Sequence, residues 1–137
     1  MEEVKIFGHK NPDTDSILSS LILEGIEKTL GVYNAKAYRI GNINKETKYA
    51  LDFFGVKEPE LLEEIEDGTS VILVDHNEFA QSVKGIEKAN IIRVIDHHNV
   101  AESFRTPGPL FYLAMPVGCT ATILREMCKV SGIAIDR

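Results

Sequence analysis

The sequence predicts an α/β domain built on an open, mostly parallel sheet with helices on both faces. Three observations predict it. Short apolar runs with strand character alternate with longer runs at helical spacing, the pattern of strand–helix–strand connections. Two of the short runs, Val71-Ile72-Leu73-Val74 and Ile91-Ile92-Arg93-Val94-Ile95, are β-branched and almost uninterrupted, as in strands covered on both sides. The chain has 137 residues, 44% hydrophobic and 26% charged, enough for one packed core with no linker to mark a second, so residues 1–137 read as one domain.

The elements follow in order. Val4-Lys5-Ile6-Phe7 is a strand that stops at Gly8. Residues 16–30 carry Ile17, Leu18, Leu21, Ile22, Ile26 and Leu30 at helical spacing, and Gly31 supplies the stop. Residues 35–40 read as a second strand. Asn44 is an N-cap for a helix through Phe54 that Gly55 closes. The acidic stretch 58–66 reads as a short solvated helix. After the two β-branched strands, residues 110–115 are extended, and Gly118 opens a last helix through Val130.

Charge and composition exclude several function classes. Fifteen Lys and Arg against 21 Asp and Glu give a formal net charge of −6, with no basic run. Such a surface repels nucleic acid, so a phosphate ligand needs local positive charge from a metal or a basic cluster. The longest strongly apolar stretch, residues 17–23, is broken by Ser19 and Ser20 and falls short of the ~20 residues of a membrane span. The acidic start Met1-Glu2-Glu3-Val4 is unlike a basic signal sequence and points to the cytoplasm. Cys119 and Cys128 match no zinc spacing and lie too far apart on one helix to pair, so both read as reduced packing residues.

Chemistry concentrates at the strand ends, where open parallel sheets gather their ligands. All four histidines fall there: His9 after the first strand, His76 in Asp75-His76-Asn77, and His97 and His98 in Asp96-His97-His98-Asn99. Taken singly, each is ordinary loop vocabulary. Together, three acidic–histidine clusters on one sheet edge would crowd carboxylates at a steep electrostatic cost, which divalent cations remove. Carboxylate and imidazole donors without thiolate suit Mn²⁺, Co²⁺, Mg²⁺ or Zn²⁺. Asp13 and Asp15, two apart in a loop, can each face one of two ions, and Asp75 at a strand end is placed to bridge them. Metal-assisted phosphate hydrolysis is the reaction class this arrangement favours.

The segments Gly8-His9-Lys10-Asn11-Pro12-Asp13-Thr14-Asp15-Ser16, Val74-Asp75-His76-Asn77-Glu78 and Asp96-His97-His98 resemble the N-terminal domain of family II inorganic pyrophosphatases, within the DHH phosphoesterase superfamily. Asn44-Lys45-Glu46-Thr47, Phe53-Phe54-Gly55-Val56 and Pro116-Val117-Gly118-Cys119-Thr120-Ala121 extend the resemblance over nearly the whole chain. It implies that His9 and Asp13 hold one Mn²⁺ or Co²⁺, that Asp15 and His97 hold the other, and that Asp75 bridges them. His98 would contact pyrophosphate or its leaving phosphate, with Asp96 and His76 supporting their neighbours and Gly118 permitting a tight turn before the last helix. Lys10 and Asn11 read as solvated loop residues within reach of phosphate. The resemblance also implies one more ligand Asp and a second domain with substrate-binding Lys and Arg, neither within these residues, so this stretch alone should turn pyrophosphate over weakly. It implies a homodimer through the edge of the sheet, which we place at the strand following residues 79–90. Two other readings stand beside this one: a DHH phosphoesterase for short oligonucleotides or cyclic dinucleotides, and a non-catalytic domain that binds metal or a partner.

Overall fold

Val71, Ile72, Leu73 and Val74 are all fully buried because their strand lies deep in the sheet and alternate side chains enter two different cores. This is the arrangement in the computed structural model, which describes residues 2–135. The elements are β1 (Glu3–Phe7), α1 (Thr14–Leu30), β2 (Asn34–Arg39), α2 (Lys45–Phe54), β3 (Glu60–Leu61), β4 (Ser70–Val74), β5 (Asn90–Asp96), β6 (Phe111–Ala114) and α3 (Thr120–Val130). The sheet order is β3-β2-β1-β4-β5-β6, and every pairing is parallel. No helix among the described residues is long and apolar enough to cross a membrane.

The chain winds outward in opposite directions from β1 and β4. Right-handed crossovers therefore place the connections of the two halves on opposite faces. On one face α1 and α3 pack Leu23, Ile26, Ile123, Leu124 and Cys128 against Val4, Ile6, Ile72, Val74 and Ile95. On the other, Phe7, Val71, Leu73, Ile91 and Val94 are covered by Ile65, Val83, Ile86 and Phe104, from loops and two single 3₁₀ turns, Phe79–Gln81 and Ile86–Lys88. Each fully buried aliphatic side chain of these cores contributes about 1.5–3 kcal/mol. Helices thus stand on both faces, but only one face carries long ones.

Local sequence explains the element ends. Asp13 caps α1 by accepting the Ser16 N–H, and Gly31 closes it in the left-handed region at φ 69°. Asn44 accepts the Thr47 N–H and starts α2 as the spacing predicts. The buried stripe of α1 runs through Ser16, Ile17, Ser19, Ser20, Leu23, Ile26 and Glu27, while Ile22 and Leu30 are exposed. The helix is therefore turned from its most apolar face, and the small serines let it sit close to the sheet.

Four expectations need correction. Residues 58–66 form no helix. Pro59 disfavours helical backbone at Glu58, and Glu60, Glu63 and Glu64 would repel one another at helical spacing. The segment instead adds β3 beside β2 and buries Ile65. The strand after residues 79–90 is not an edge: β5 lies between β4 and β6, and the edges are β3 and β6. α3 begins at Thr120 with Cys119 at the cap position, two residues beyond Gly118. Gly118 itself has open space around its Cα and no left-handed φ, so the turn there does not require glycine.

Candidate metal centre

β1, β4 and β5 end side by side, and β1/β4 is the point where the winding reverses, the position at which open parallel sheets leave a crevice. The first loop descends from Phe7 through Gly8, where a Cβ would come within 2.5 Å of the Ser16 Cβ. Only glycine lets the chain pass the start of α1 so closely. Ser16 is fully buried, and its hydroxyl donates to Asp75 Oδ2 at 2.8 Å while its N–H donates to Asp13.

Asp75 is the focus. It follows β4 with φ at 60°, a left-handed conformation that Asp tolerates better than most residues and that functional sites retain. Its Oδ2 lies 3.2 Å from His9 Nε2, and its Oδ1 lies 2.9 Å from His97 Nε2. Thr120 Oγ1 stands 3.4 Å from Oδ1. Burial alone would raise this carboxyl, but hydrogen bonds from His9 and Ser16 hold it well below the usual carboxylate range.

The two histidines are oriented alike. His9 Nδ1 donates to the Lys10 carbonyl at 2.6 Å and His97 Nδ1 to the Val117 carbonyl at 3.1 Å, so both rings present Nε2 to Asp75. The His9–Asp75 hydrogen bond raises His9 to about 9 against the opposing effect of its burial. Asp13 Oδ1 is 3.7 Å from His9 Nε2. Asp15 stands farther out, 3.8 Å from His97 Nε2, and takes the N–H groups of Thr120 at 2.8 Å and Ala121 at 3.0 Å. It thus caps α3, which has no side-chain cap of its own. Burial raises the Asp15 carboxyl, opposed by those two backbone donors.

Around these lies a ring of fixed polar groups. His76 is buried with Nδ1 on the Val74 carbonyl and Nε2 accepting from Ser82 Oγ, both at 2.9 Å, and burial lowers it to about 4. Asp96, fully buried, accepts the N–H groups of His97 and His98, His98 Nδ1 at 2.7 Å and Asn77 Nδ2 at 2.9 Å. A cavity of about 310 Å³ opens beside them, lined by His9, Asp75, Asn77, Gln81 and His98 among others. Among the described residues no Lys or Arg lines it. Lys10 and Asn11 are exposed and do not line it.

The structure brings His9, Asp13 and Asp75 together as one donor group, their ligand atoms within 4.8 Å of one another. Asp75, Asp96, His97 and His98 form a second. Because Asp96 spends its lone pairs on four N–H donors, the open donors of that group are Asp75 and His97, with Asp15 nearby and His98 above them. Oxygen and imidazole donors converging without a thiolate or a lysine fit hard or borderline divalent cations. Sequence reasoning missed the clamp made by Asn77 and the capping of α3 by Asp15. The repeated Asp-His-Asn pattern was the signal for the first; nothing in the sequence pairs Asp15 with residues more than a hundred positions away.

A family model for the DHH family, N-terminal domain, matches residues 3–136. A Staphylococcus epidermidis protein described as "Probable manganese-dependent inorganic pyrophosphatase" is 56% identical over 135 residues, covering 98% of this chain and 43% of that protein. An Oceanobacillus iheyensis protein of the same description is 52% identical over 100% of this chain and 44% of its own length. Among solved structures, a Methanococcus jannaschii "putative family II inorganic pyrophosphatase" superposes with a TM-score of 0.83 at 42% identity, over 96% of this chain and 39% of that one. The chain therefore spans less than half the length of the relatives it matches.

Proposed function

Because the chain belongs to the DHH family, over its N-terminal domain, we propose that it is the metal-binding half of a manganese-dependent inorganic pyrophosphatase that hydrolyses diphosphate to two phosphates. The observation that carries this reading is Asp75, a buried carboxylate whose two oxygens face two different histidines. One Mn²⁺ or Co²⁺ would be held by His9, Asp13 and Asp75, and a second by Asp15, Asp75 and His97; Mg²⁺ suits the same oxygen-rich set. When bound, such a pair neutralises phosphate charge and acidifies a water for attack.

The chain's own residues prepare that chemistry. Ser16 fixes one oxygen of Asp75, and the carbonyls of Lys10 and Val117 fix the two ring planes. His98, half exposed over the cavity with Nδ1 held by Asp96, presents Nε2 to pyrophosphate or to the leaving phosphate. With a formal net charge of −6 and no Lys or Arg lining the cavity among the described residues, substrate positioning by this stretch alone is poor. A longer parent would supply the basic groups. No feature of the acidic surface suits nucleic acid or a membrane. The free thiols Cys119 and Cys128 suit a reducing compartment, and the cytoplasm is the one we assign. The exposed edge at β6, with Phe111 half exposed beside Leu113 and Val130, is the surface on which we place a homodimer contact.

The test is Mn²⁺-dependent phosphate release by this chain and by a fusion of it to the remaining half of the Staphylococcus epidermidis relative. We expect feeble turnover alone and enzyme-like turnover, about 10 s⁻¹ or more, in the fusion. A fusion that cleaves short oligonucleotides or cyclic dinucleotides but not pyrophosphate would replace this reading with the other phosphoesterase one.

A further inference from the structure

We propose that Asn77 is a positioning residue: it clamps Asp96 and the loop after it, and thereby holds His98 with Nε2 toward the cavity. The phosphate ligand of His98 rests on the function proposed above; the clamp itself does not.

Asn77 is 3% exposed and uses its whole side-chain amide. Nδ2 donates to Asp96 Oδ2 and to the Asn99 carbonyl, both at 2.9 Å, and Oδ1 accepts the Ala101 N–H at 2.6 Å. Three bonds thus tie the segment after β4 to the last residue of β5 and to the loop that leaves it. An amide is the side chain that fits, because the site requires two donors and one acceptor from one planar group. A carboxylate of the same shape would face Asp96 and the Asn99 carbonyl with no hydrogen to give either.

The consequence passes through Asp96. Its Oδ2 is taken by Asn77, which turns Oδ1 toward the N–H groups of His97 and His98 and toward His98 Nδ1. Oδ1 can only accept, so His98 carries a hydrogen on Nδ1 and leaves Nε2 for a ligand. His98 is half exposed; its ring meets the His97 ring at 4.1 Å between centroids and its Nδ1 stands 4.0 Å from Asp75 Oδ1, and among the described residues Asp96 is the side chain that hydrogen-bonds it and so sets which nitrogen carries the hydrogen. Asn77 touches neither His9 nor Asp13, and its loss should leave that donor group in place.

The test combines ¹⁵N spectroscopy of the metal-free protein with ligand binding. In the unsubstituted protein the neutral His98 ring should be protonated on Nδ1, and in Asn77→Ala and Asn77→Asp its two nitrogens should move to averaged positions. His76, whose nitrogens are both bonded elsewhere, reports that the fold is intact. With Mn²⁺ present, both variants should weaken pyrophosphate binding about tenfold, as His98→Ala does, while Mn²⁺ held by His9, Asp13 and Asp75, to which Asn77 makes no hydrogen bond, is affected less than Mn²⁺ beside His97, whose N–H Asp96 accepts. His98 signals unchanged in Asn77→Asp with His76 intact would overturn the proposal, as would an unsubstituted His98 protonated on Nε2. The spectroscopic outcome decides the clamp even if the unsubstituted protein binds Mn²⁺ but no pyrophosphate, a result that contradicts the pyrophosphatase reading instead.

Discussion

Replacing Asp75 by Asn perturbs the one group shared by both halves of the site, and its effect can be worked from His9. In the metal-free protein the His9 ring is held at about 9, against an ordinary value of 6.5, chiefly by its hydrogen bond to Asp75. A displacement of that size corresponds to about 3 kcal/mol, and the same interaction depresses Asp75, so the figure is shared by the pair rather than counted twice. Asp75→Asn removes the negative charge but keeps the side-chain shape, leaving His9 partly buried with the Lys10 carbonyl at Nδ1 and Asp13 3.7 Å from Nε2. Its pKa should fall from about 9 toward 6.5, because burial is then opposed only by the Lys10 carbonyl and the Asp13 charge. A pH titration of the His9 ring protons by NMR reads this directly. A His9 that still titrates near 9 in Asp75→Asn would show that another group holds its proton. The same variant should weaken Mn²⁺ binding at both positions, at least about tenfold in calorimetry.

The metal-free protein should be most stable near pH 6.5. His9, raised when folded, contributes fully below 6.5 and loses its contribution as pH rises through about 9; His76, lowered when folded, loses its contribution as pH falls from 6.5 toward about 4. Denaturant midpoints measured across the acid and alkaline sides of that optimum should trace the peak, and saturating Mn²⁺ should flatten the alkaline side. Gly8→Ala should destabilise by about 1–3 kcal/mol and weaken Mn²⁺ binding, since its Cβ would press on Ser16 beneath Asp75; unchanged thermal unfolding would refute the close approach. A charged residue on the exposed edge, Phe111→Glu, should shift the protein from dimer to monomer in light scattering if β6 is the contact.

The middle of the sheet was legible because β4 and β5 are short, β-branched and largely buried on both sides, which leaves few other ways to satisfy them. Asn44 and Gly31 marked helix ends through side-chain and backbone chemistry that acts within a few residues. The site was legible for a different reason: the strand-end rule converts positions far apart in sequence into one edge, so His9, Asp75 and His97 could be grouped before any contact was known. What stayed hidden depended on long-range packing. β3 pairs with β2 through a two-residue strand too short for any periodicity to betray it. The buried stripe of α1 follows its serines because Ser16 must reach Asp75, a demand set by a residue 59 positions away. β6 outside β5, and Asp15 across to the start of α3, are likewise tertiary facts with no local pattern.

The proposed chemistry stands or falls on two divalent cations sharing Asp75. Anomalous diffraction from crystals grown with Mn²⁺ locates such ions without reference to activity. Two peaks should appear, the stronger among His9, Asp13 and Asp75, where the donors already converge, and the weaker beside Asp75, His97 and Asp15, whose carboxylate is also engaged by α3. A crystal soaked at millimolar Mn²⁺ that shows no peak within coordination distance of Asp75 would contradict it.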